Sequence, residues 1–309
     1  MPVMHPARAG FRAVFQQPGL ILGETAWRWA FGAAAWTLVV VAVHRILAQV
    51  DVTQAELLIA RRSDLFLIAD ACARIIYQVL PRLARESLVL VPAICVMWIA
   101  AATVGRAVTL KGLLPESETR NSGLGSLAAL HFFRSIFTLA TIVAFFGAMF
   151  LAGIAMPTQN PTTAAVVWLF LAALVAFCWS MVNWFLALAP IWIVRDGRTA
   201  LQSIADSVDF YRRNPGPYVA VAWWFGFLRA IAMVAALIAA AIAASIAQGS
   251  IPAAVASGVA VTLAYFAGAD LLYIARLAAF VALSDSSQLS ALSSQPTTPS
   301  PQPVPQPEL

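Results

Sequence analysis

Residues 135–194 read SIFTLATIVAFFGAMFLAGIAMPTQNPTTAAVVWLFLAALVAFCWSMVNWFLALAPIWIV, a stretch that contains no Asp, Glu, Lys, Arg or His. A second stretch, residues 230–269, also lacks all five residue types. Each stretch is interrupted near its middle by a short uncharged turn, at residues 157–161 and 248–252. Because one helical crossing of a bilayer takes about 20 apolar residues, each stretch predicts two membrane helices joined by a tight turn.

The whole composition agrees with a membrane protein. The chain is 61% hydrophobic and 11% charged, with a mean hydropathy of +0.82, which leaves too little polar surface for a soluble protein of 309 residues. We therefore predict an all-α membrane protein, a bundle of about six transmembrane helices with amphipathic interfacial helices. The predicted crossings are residues 26–47, 88–110, 136–154, 164–194, 219–247 and 251–277. The transmembrane domain, residues 26–283, is flanked by an N-terminal segment, 1–25, and a tail, 284–309.

The distribution of basic residues predicts the orientation. The turns at 155–163 and 247–252 carry no Lys or Arg, whereas the connections on the opposite side are basic. Since cytoplasmic loops are enriched in Lys and Arg, both termini are expected in the cytoplasm. The connection at 48–87 must then lie outside, although it contains five arginines. The basic residues on the predicted inner side are Arg8, Arg12, Arg106, Lys111, Arg120, Arg195, Arg198, Arg212 and Arg213.

Two polar segments have the pattern of amphipathic helices. In the outer segment, 48–87, Thr53 and Glu56 have the spacing of a capping box, and apolar residues recur at helical spacing up to Pro81. This segment is either a packing element over the helix ends or a lid or partner-binding surface. In the inner segment, 199–213, Thr199 and Gln202 form a second capping box.

The inner segment lies in the headgroup layer or serves as a regulatory or docking element. Its apolar stripe consists of Leu201, Ile204, Ala205, Val208 and Tyr211. The tail at 284–309 is rich in Ser, Pro and Gln and is predicted to be disordered, because it cannot bury enough apolar surface.

The sequence contains no motif for a cofactor, a metal or a catalytic nucleophile. Its three cysteines, Cys72, Cys95 and Cys178, are odd in number and far apart, which argues against a disulfide framework. The histidines His5, His44 and His131 stand singly near predicted membrane boundaries. The net charge of +5 comes from basic residues spread over helix ends and loops. This distribution indicates membrane lipids as partners, together with other membrane proteins, and not nucleic acid.

Charged residues inside the crossings are the sole indication of a site, because an ionisable group in hydrocarbon is costly unless it is paired. They are Arg28, Arg229, Asp270 and Arg276. Arg229 lies 20 residues before Gly249 and Asp270 lies 21 residues after it, so both stand ~30 Å from the outer turn. We predict an intramembrane ion pair between Arg229 and Asp270, either as a structural anchor or as part of a proton or ion pathway.

Small residues and tryptophans indicate packing and membrane depth. The fifth and sixth crossings carry small residues four apart, which predicts close helix contact. Tryptophans gather toward the inner boundary as an aromatic belt. The small residues are Ala236, Ala240 and Ala244, and Ala254, Gly258 and Thr262; the tryptophans are Trp179, Trp184, Trp192, Trp223 and Trp224.

Three short motifs resemble an uncharacterised group of bacterial six-helix membrane proteins, which is distantly similar to the membrane domain attached to some glycerophosphodiester phosphodiesterases. The motifs are residues 16–18 with 27–32 (WRWAFG), residues 105–110 (GRAVTL) and residues 200–207. The resemblance covers about residues 10–283 and implies a bacterial inner membrane but no catalytic residues.

The expected function is a non-enzymatic accessory or organising role in that membrane. The alternative is a small transporter or a lipid-handling protein.

Overall fold

The computed structural model describes residues 6–48, 65–114, 123–155, 161–247 and 250–293. Within these ranges the chain forms eight helices and no strand. The helices are α1 (Pro6–Gln16), α2 (Pro18–Leu47), α3 (Leu65–Leu113), α4 (Leu124–Ala155), α5 (Pro161–Asp196), α6 (Ala200–Arg213), α7 (Pro215–Ile246) and α8 (Ile251–Ser293).

Six of the helices are long and apolar enough to cross a membrane. Their surfaces carry large exposed apolar side chains, for example Phe170 at 69% and Ile246 at 80% exposure, as expected where lipid is the solvent. The predicted all-α membrane bundle is confirmed, and the chain is a multi-pass membrane protein. The candidate spans are Pro18–Leu47, Val79–Leu113, Leu124–Gly153, Thr163–Asp196, Pro215–Ile246 and Pro252–Ser286.

The chain divides into two compact units. The large unit is Pro18–Arg212 and holds α2 to α6. Within it α3 packs against α2, α4 and α5, and α4 also packs against α5. Helices α2 and α3 are antiparallel, because Leu20 at the start of α2 contacts Gly112 at the end of α3. This arrangement brings the start of α2 close to the last turns of α3.

The small unit consists of Met1–Gln17 and Arg213–Leu309, in which α8 packs against both α1 and α7. The contact between α1 and α8 is close at Gly10. A Cβ added at Gly10 would collide with the carbonyl oxygen of Ala275 and lie 2.9 Å from the Cβ of Ala279. Glycine therefore allows α1 to lie directly on the backbone of α8. By contrast, a Cβ at Gly258, in the predicted small-residue ridge, would meet nothing within 4 Å.

Three predicted crossings begin much later in the sequence than the corresponding candidate spans. The second was predicted to start at residue 88, but its span starts at Val79. The first was predicted to start at residue 26, but α2 starts at Pro18 and includes Glu24. The third was predicted to start at residue 136, but α4 starts at Leu124 and includes His131. In the first and third crossings a charged or polar residue had been taken to lie outside the crossing. The structure pairs or buries such residues within the bundle, so they do not end the apolar helix.

Helix α3 continues through two prolines, Pro81 and Pro92. The apolar pattern of the outer segment was followed up to Pro81, and the helix continues beyond that residue. Pro92, which lies close to the start of the predicted second crossing at residue 88, is well inside α3. A proline removes one backbone hydrogen bond, but the local apolar environment still favours a helix over a solvated loop. Residues 49–64 of the outer segment, including Thr53 and Glu56, lie outside the described residues, and so does the side chain of Cys72.

The inner amphipathic segment is the helix α6, and both reciprocal hydrogen bonds of its capping box are present. The Thr199 N–H donates to Oε1 of Gln202 at 3.2 Å, and the Gln202 N–H donates to Oγ1 of Thr199 at 3.4 Å. The buried face differs from the predicted stripe: Leu201 is 66% exposed. The residues that α6 buries are Ala200, Ser203, Ser207 and Phe210. Each serine hydroxyl donates to a carbonyl of its own helix, so a small polar residue can be buried there.

The last helix is longer than predicted. The sixth crossing was predicted to end at residue 277 and disorder to begin at 284, but α8 runs to Ser293, and Ser284 is fully buried. The Ser284 hydroxyl donates to the carbonyl of Val281 at 2.7 Å, which removes the cost of burying it. Residues 294–309 of the predicted tail lie outside the described residues.

Candidate functional site

Polar side chains gather at one end of the large unit. Helix α2 begins there, α3 ends there and α4 begins there. We call the group formed by Glu24, Arg28, Arg106, Thr109 and His131 the Glu24 cluster. Each of its members lies one to three turns from a helix end, so the cluster lies near the boundary of the apolar spans rather than at their centre.

Glu24 is the centre of this cluster and is completely buried. Its Oε1 accepts a hydrogen bond from Nε of Arg28 at 2.8 Å and lies 3.1 Å from Nη1 of Arg106. Its Oε2 accepts hydrogen bonds from Nε1 of Trp27 at 3.0 Å and from Oγ1 of Thr109 at 2.5 Å. Both carboxylate oxygens are thus occupied by donors from α2 and α3.

The pairing explains why a carboxylate is tolerated in a membrane helix. The Arg106 side chain is 2% exposed and the Arg28 side chain is 21% exposed. Two guanidinium groups around one carboxylate leave a net charge of about +1, and the hydrogen bonds offset the cost of removing these groups from water. Arg28, which the sequence analysis singled out as a charge within a crossing, is therefore part of an ionic cluster.

Aromatic packing holds the cluster in place. The Trp27 ring lies against the backbone of Gly105, where an added Cβ would be 2.5 Å from Nε1 of Trp27. The same ring is 5.8 Å from Trp98, which in turn packs edge-on against Phe31 at 5.0 Å. Since any side chain at position 105 would displace the Trp27 ring, glycine is required there for the indole to reach Glu24.

His131 adds a buried imidazole from α4. It is 2% exposed, and it lies within electrostatic range of Arg106, Arg134 and Glu24. Neither ring nitrogen has a hydrogen-bond partner among the described residues. His131, which stands singly in the sequence, is thus buried near the charged groups of α2 and α3. His44 is exposed near the other end of α2, and His5 lies outside the described residues.

A second buried cation lies at the end of α5. The Arg195 guanidinium stacks 4.5 Å from the Trp192 ring centroid, and its Nε is 3.3 Å from Oδ1 of Asp196. Trp192 itself is buried and packs 5.8 Å from Phe210 of α6, so it does not belong to an exposed aromatic belt. Gly197, at a φ of 67°, ends α5 in the left-handed conformation that favours glycine.

The predicted pair of Arg229 and Asp270 belongs to the small unit. Arg229 is exposed on α7, and Asp270 is 7% exposed on α8. Arg276, one of the four charges noted in the sequence, places its guanidinium 5.3 Å from the Phe280 ring centroid. The ion pair between Arg229 and Asp270 stays a prediction.

The sequence did not identify Glu24 and Thr109 as members of a site, and it did not predict that Arg106 pairs with Glu24. One local signal was present: Glu24 and Arg28 are four residues apart, the spacing of an ion pair on one helix face. The contacts to Arg106 and Thr109 come from another helix, so no local pattern reports them. Among the described residues no group of three or more His, Cys, Asp or Glu is placed to hold a metal ion, and Cys95 and Cys178 are free.

Comparison with known proteins finds no relative of this chain. No family model matches the chain, no curated protein matches it, and no solved structure matches its fold.

Proposed function

We propose that this chain is a non-enzymatic accessory or organising protein of a bacterial inner membrane, with both termini in the cytoplasm. The observation that carries the proposal is the state of Glu24. Its two oxygens accept three hydrogen bonds and form an ion pair with Arg106, so this buried acid joins α2 to α3 and offers no free carboxylate for acid–base chemistry. Membrane lipids and other membrane proteins are the proposed partners.

The surface of α6 supports an accessory role. Leu201 is exposed beside charges of both signs, which suits contact with a headgroup layer or a partner at the membrane boundary. The nearby charges include the pair of Arg198 and Asp206 at 3.4 Å and the pair of Arg212 and Asp209 at 3.8 Å.

The position of the polar groups favours this role over transport. A transporter binds its substrate near the bilayer midplane, commonly where two corresponding helices are interrupted. The Glu24 cluster lies near one end of its helices. Its carboxylate is bound by side chains of α2 and α3, so it is not available to a substrate. Pro92 in α3 and Pro190 in α5 lie at different distances from the ends of their helices, and neither proline interrupts its helix.

Native electrophoresis of gently solubilised membranes tests the proposal. The chain is expected to migrate in a complex well above its 33.0 kDa with a stoichiometric membrane protein identified by mass spectrometry. An L201D variant should lose that partner, while an exposed-site control, L237D on the lipid-facing part of α7, reports insertion defects. Migration as the single chain, together with solute uptake by proteoliposomes of the pure protein, would contradict the accessory role.

A further inference from the structure

A groove of about 330 Å³ lies between α2 and α3 in the large unit. Its walls are almost wholly apolar and are formed by Gly19, Leu20 and Gly23 of α2 and by Val104 and Val108 of α3. The two valines are 61% and 62% exposed, so the groove opens to the surroundings of the molecule. Because these helices cross the membrane, those surroundings are lipid.

The groove has the dimensions of part of an acyl chain. It extends from Gly19 to Trp27, eight residues, or ~12 Å along the helix. A water molecule occupies ~30 Å³ of liquid and a methylene group is of similar size, so the groove holds roughly ten carbon atoms. Glu24 contributes to the wall, but its oxygens are occupied by donors and present no unsatisfied acceptor to a hydrocarbon chain.

The mouth of the groove is positively charged. Leu20 contacts Gly112, which places the adjacent Lys111 at this end of the helix pair. Lys111 is exposed and forms no ion pair with another described residue. Together with the net positive Glu24 cluster, its ammonium group favours an anionic headgroup at the depth where a lipid phosphate lies.

We propose that the groove between α2 and α3 binds an anionic phospholipid, with one acyl chain between Gly23 and Val104 and the phosphate at Lys111. This site is independent of the accessory role proposed above. The spacing of Gly19 and Gly23 also suits contact with a helix of a second copy. A second copy in the same membrane orientation would bring its own Lys111 to the same depth, and the repulsion disfavours that occupant.

Two glycines permit a direct test, because a Cβ at Gly19 or Gly23 would meet nothing within 4 Å. G23L is expected to fill the groove, because its Cβ meets no neighbouring atom and its side chain extends from the groove wall. G32L is the matched control, since Gly32 lies on the same helix outside the groove and also faces open space. Binding of phosphatidylglycerol and phosphatidylcholine to the detergent-purified full chain is measured by native mass spectrometry.

The expected results are specific. G23L weakens phosphatidylglycerol binding about tenfold, the equivalent of roughly two buried methylene groups, and G32L binds as the wild type does. K111Q weakens phosphatidylglycerol binding about fivefold and leaves phosphatidylcholine binding unchanged. G19L is the second filling variant, used if the melting temperature shows that G23L has lost its fold.

Three outcomes would overturn the proposal. The first is unchanged phosphatidylglycerol binding by the folded filling variants. The second is equal affinity of the wild type for the two lipids. The third is a wild-type dimer that G23L converts to a monomer with unchanged lipid binding, which would assign the groove to a second copy.

Discussion

Glu24 and Arg106 come from different helices and approach to 3.1 Å with almost no exposed surface. Either charge alone would be unfavourable in this place, and the pair is stabilised by Arg28, Trp27 and Thr109. At the scale of single residues the sequence predicts poorly. It identifies the costly charges, but the partner of each charge depends on which helices become neighbours.

Loss of the Glu24 charge should destabilise the large unit. E24Q removes the carboxylate charge that lies between Arg106 and Arg28, and we expect a loss of about 3 kcal/mol in the free energy of unfolding. Unfolding in a denaturing detergent, followed by circular dichroism, measures the change. The matched control is D209N, which breaks the exposed pair with Arg212 and should cost less than about 0.5 kcal/mol. Equal effects of the two variants would show that the Glu24 cluster contributes no special stability.

The predicted pair of Arg229 and Asp270 can be tested by a double-mutant cycle with R229M and D270A. If the two groups interact, the double variant is more stable than the sum of the single effects predicts, because a lone charge costs more than none. Since Arg229 is exposed, we expect a coupling energy of about 1 kcal/mol. Simple additivity in the same detergent unfolding measurement excludes the pair.

At the scale of elements, long uncharged runs predicted the helices well. All six predicted crossings correspond to observed spans, and the capping box at Thr199 and Gln202 is formed as predicted. The helix ends were less accurate, because charged residues that pair within the bundle do not end a helix. Helix α1 was not predicted. It buries only a few, small residues, which give a weak apolar pattern, and its partner α8 is distant in sequence. The buried residues are Ala7, Gly10 and Val14.

The contact of α1 with α8 depends on Gly10. G10L places a side chain where the Ala275 carbonyl and Ala279 now lie, and we expect α1 to detach at a cost of about 1 to 3 kcal/mol. Hydrogen exchange of residues 7–16 measures the effect: the amides are protected in the wild type and exchange rapidly in G10L. The control is G226L on α7, because a Cβ there meets nothing within 4 Å. Retained protection in G10L would mean that the α1 contact adapts.

At the scale of the whole molecule, composition alone predicted a multi-pass helical membrane protein. The six spans bear this out. The way the helices divide into a large and a small unit was not predicted, because the division joins the N-terminal helix to the last two helices of the chain. Such long-range pairing leaves no periodic signal in the sequence.

Orientation is a separate prediction, from the charge of the loops. Single cysteines at positions 8, 115 and 202 should be protected from a membrane-impermeant maleimide in intact cells, and cysteines at 60 and 158 should be labelled. Each single cysteine is introduced into a variant in which Cys72, Cys95 and Cys178 have been replaced. Labelling in permeabilised cells shows that each introduced cysteine can react with the maleimide. Labelling of position 202 in intact cells would reverse the proposed topology.

The contact between Glu24 and Arg106 also bears on biosynthesis. Arg106 is translated 82 residues after Glu24 (106 minus 24), which at ~5–20 residues per second is a delay of roughly 4–16 s. Throughout that interval the nascent α2 has Arg28 as its cation, and Arg106 and Thr109 have not yet been made. We expect α2 to become stably inserted in the membrane only when α3 has been made and its Arg106 and Thr109 can contact Glu24. The helical hairpin of α2 and α3, rather than α2 alone, is then the unit that becomes stable in the membrane during synthesis.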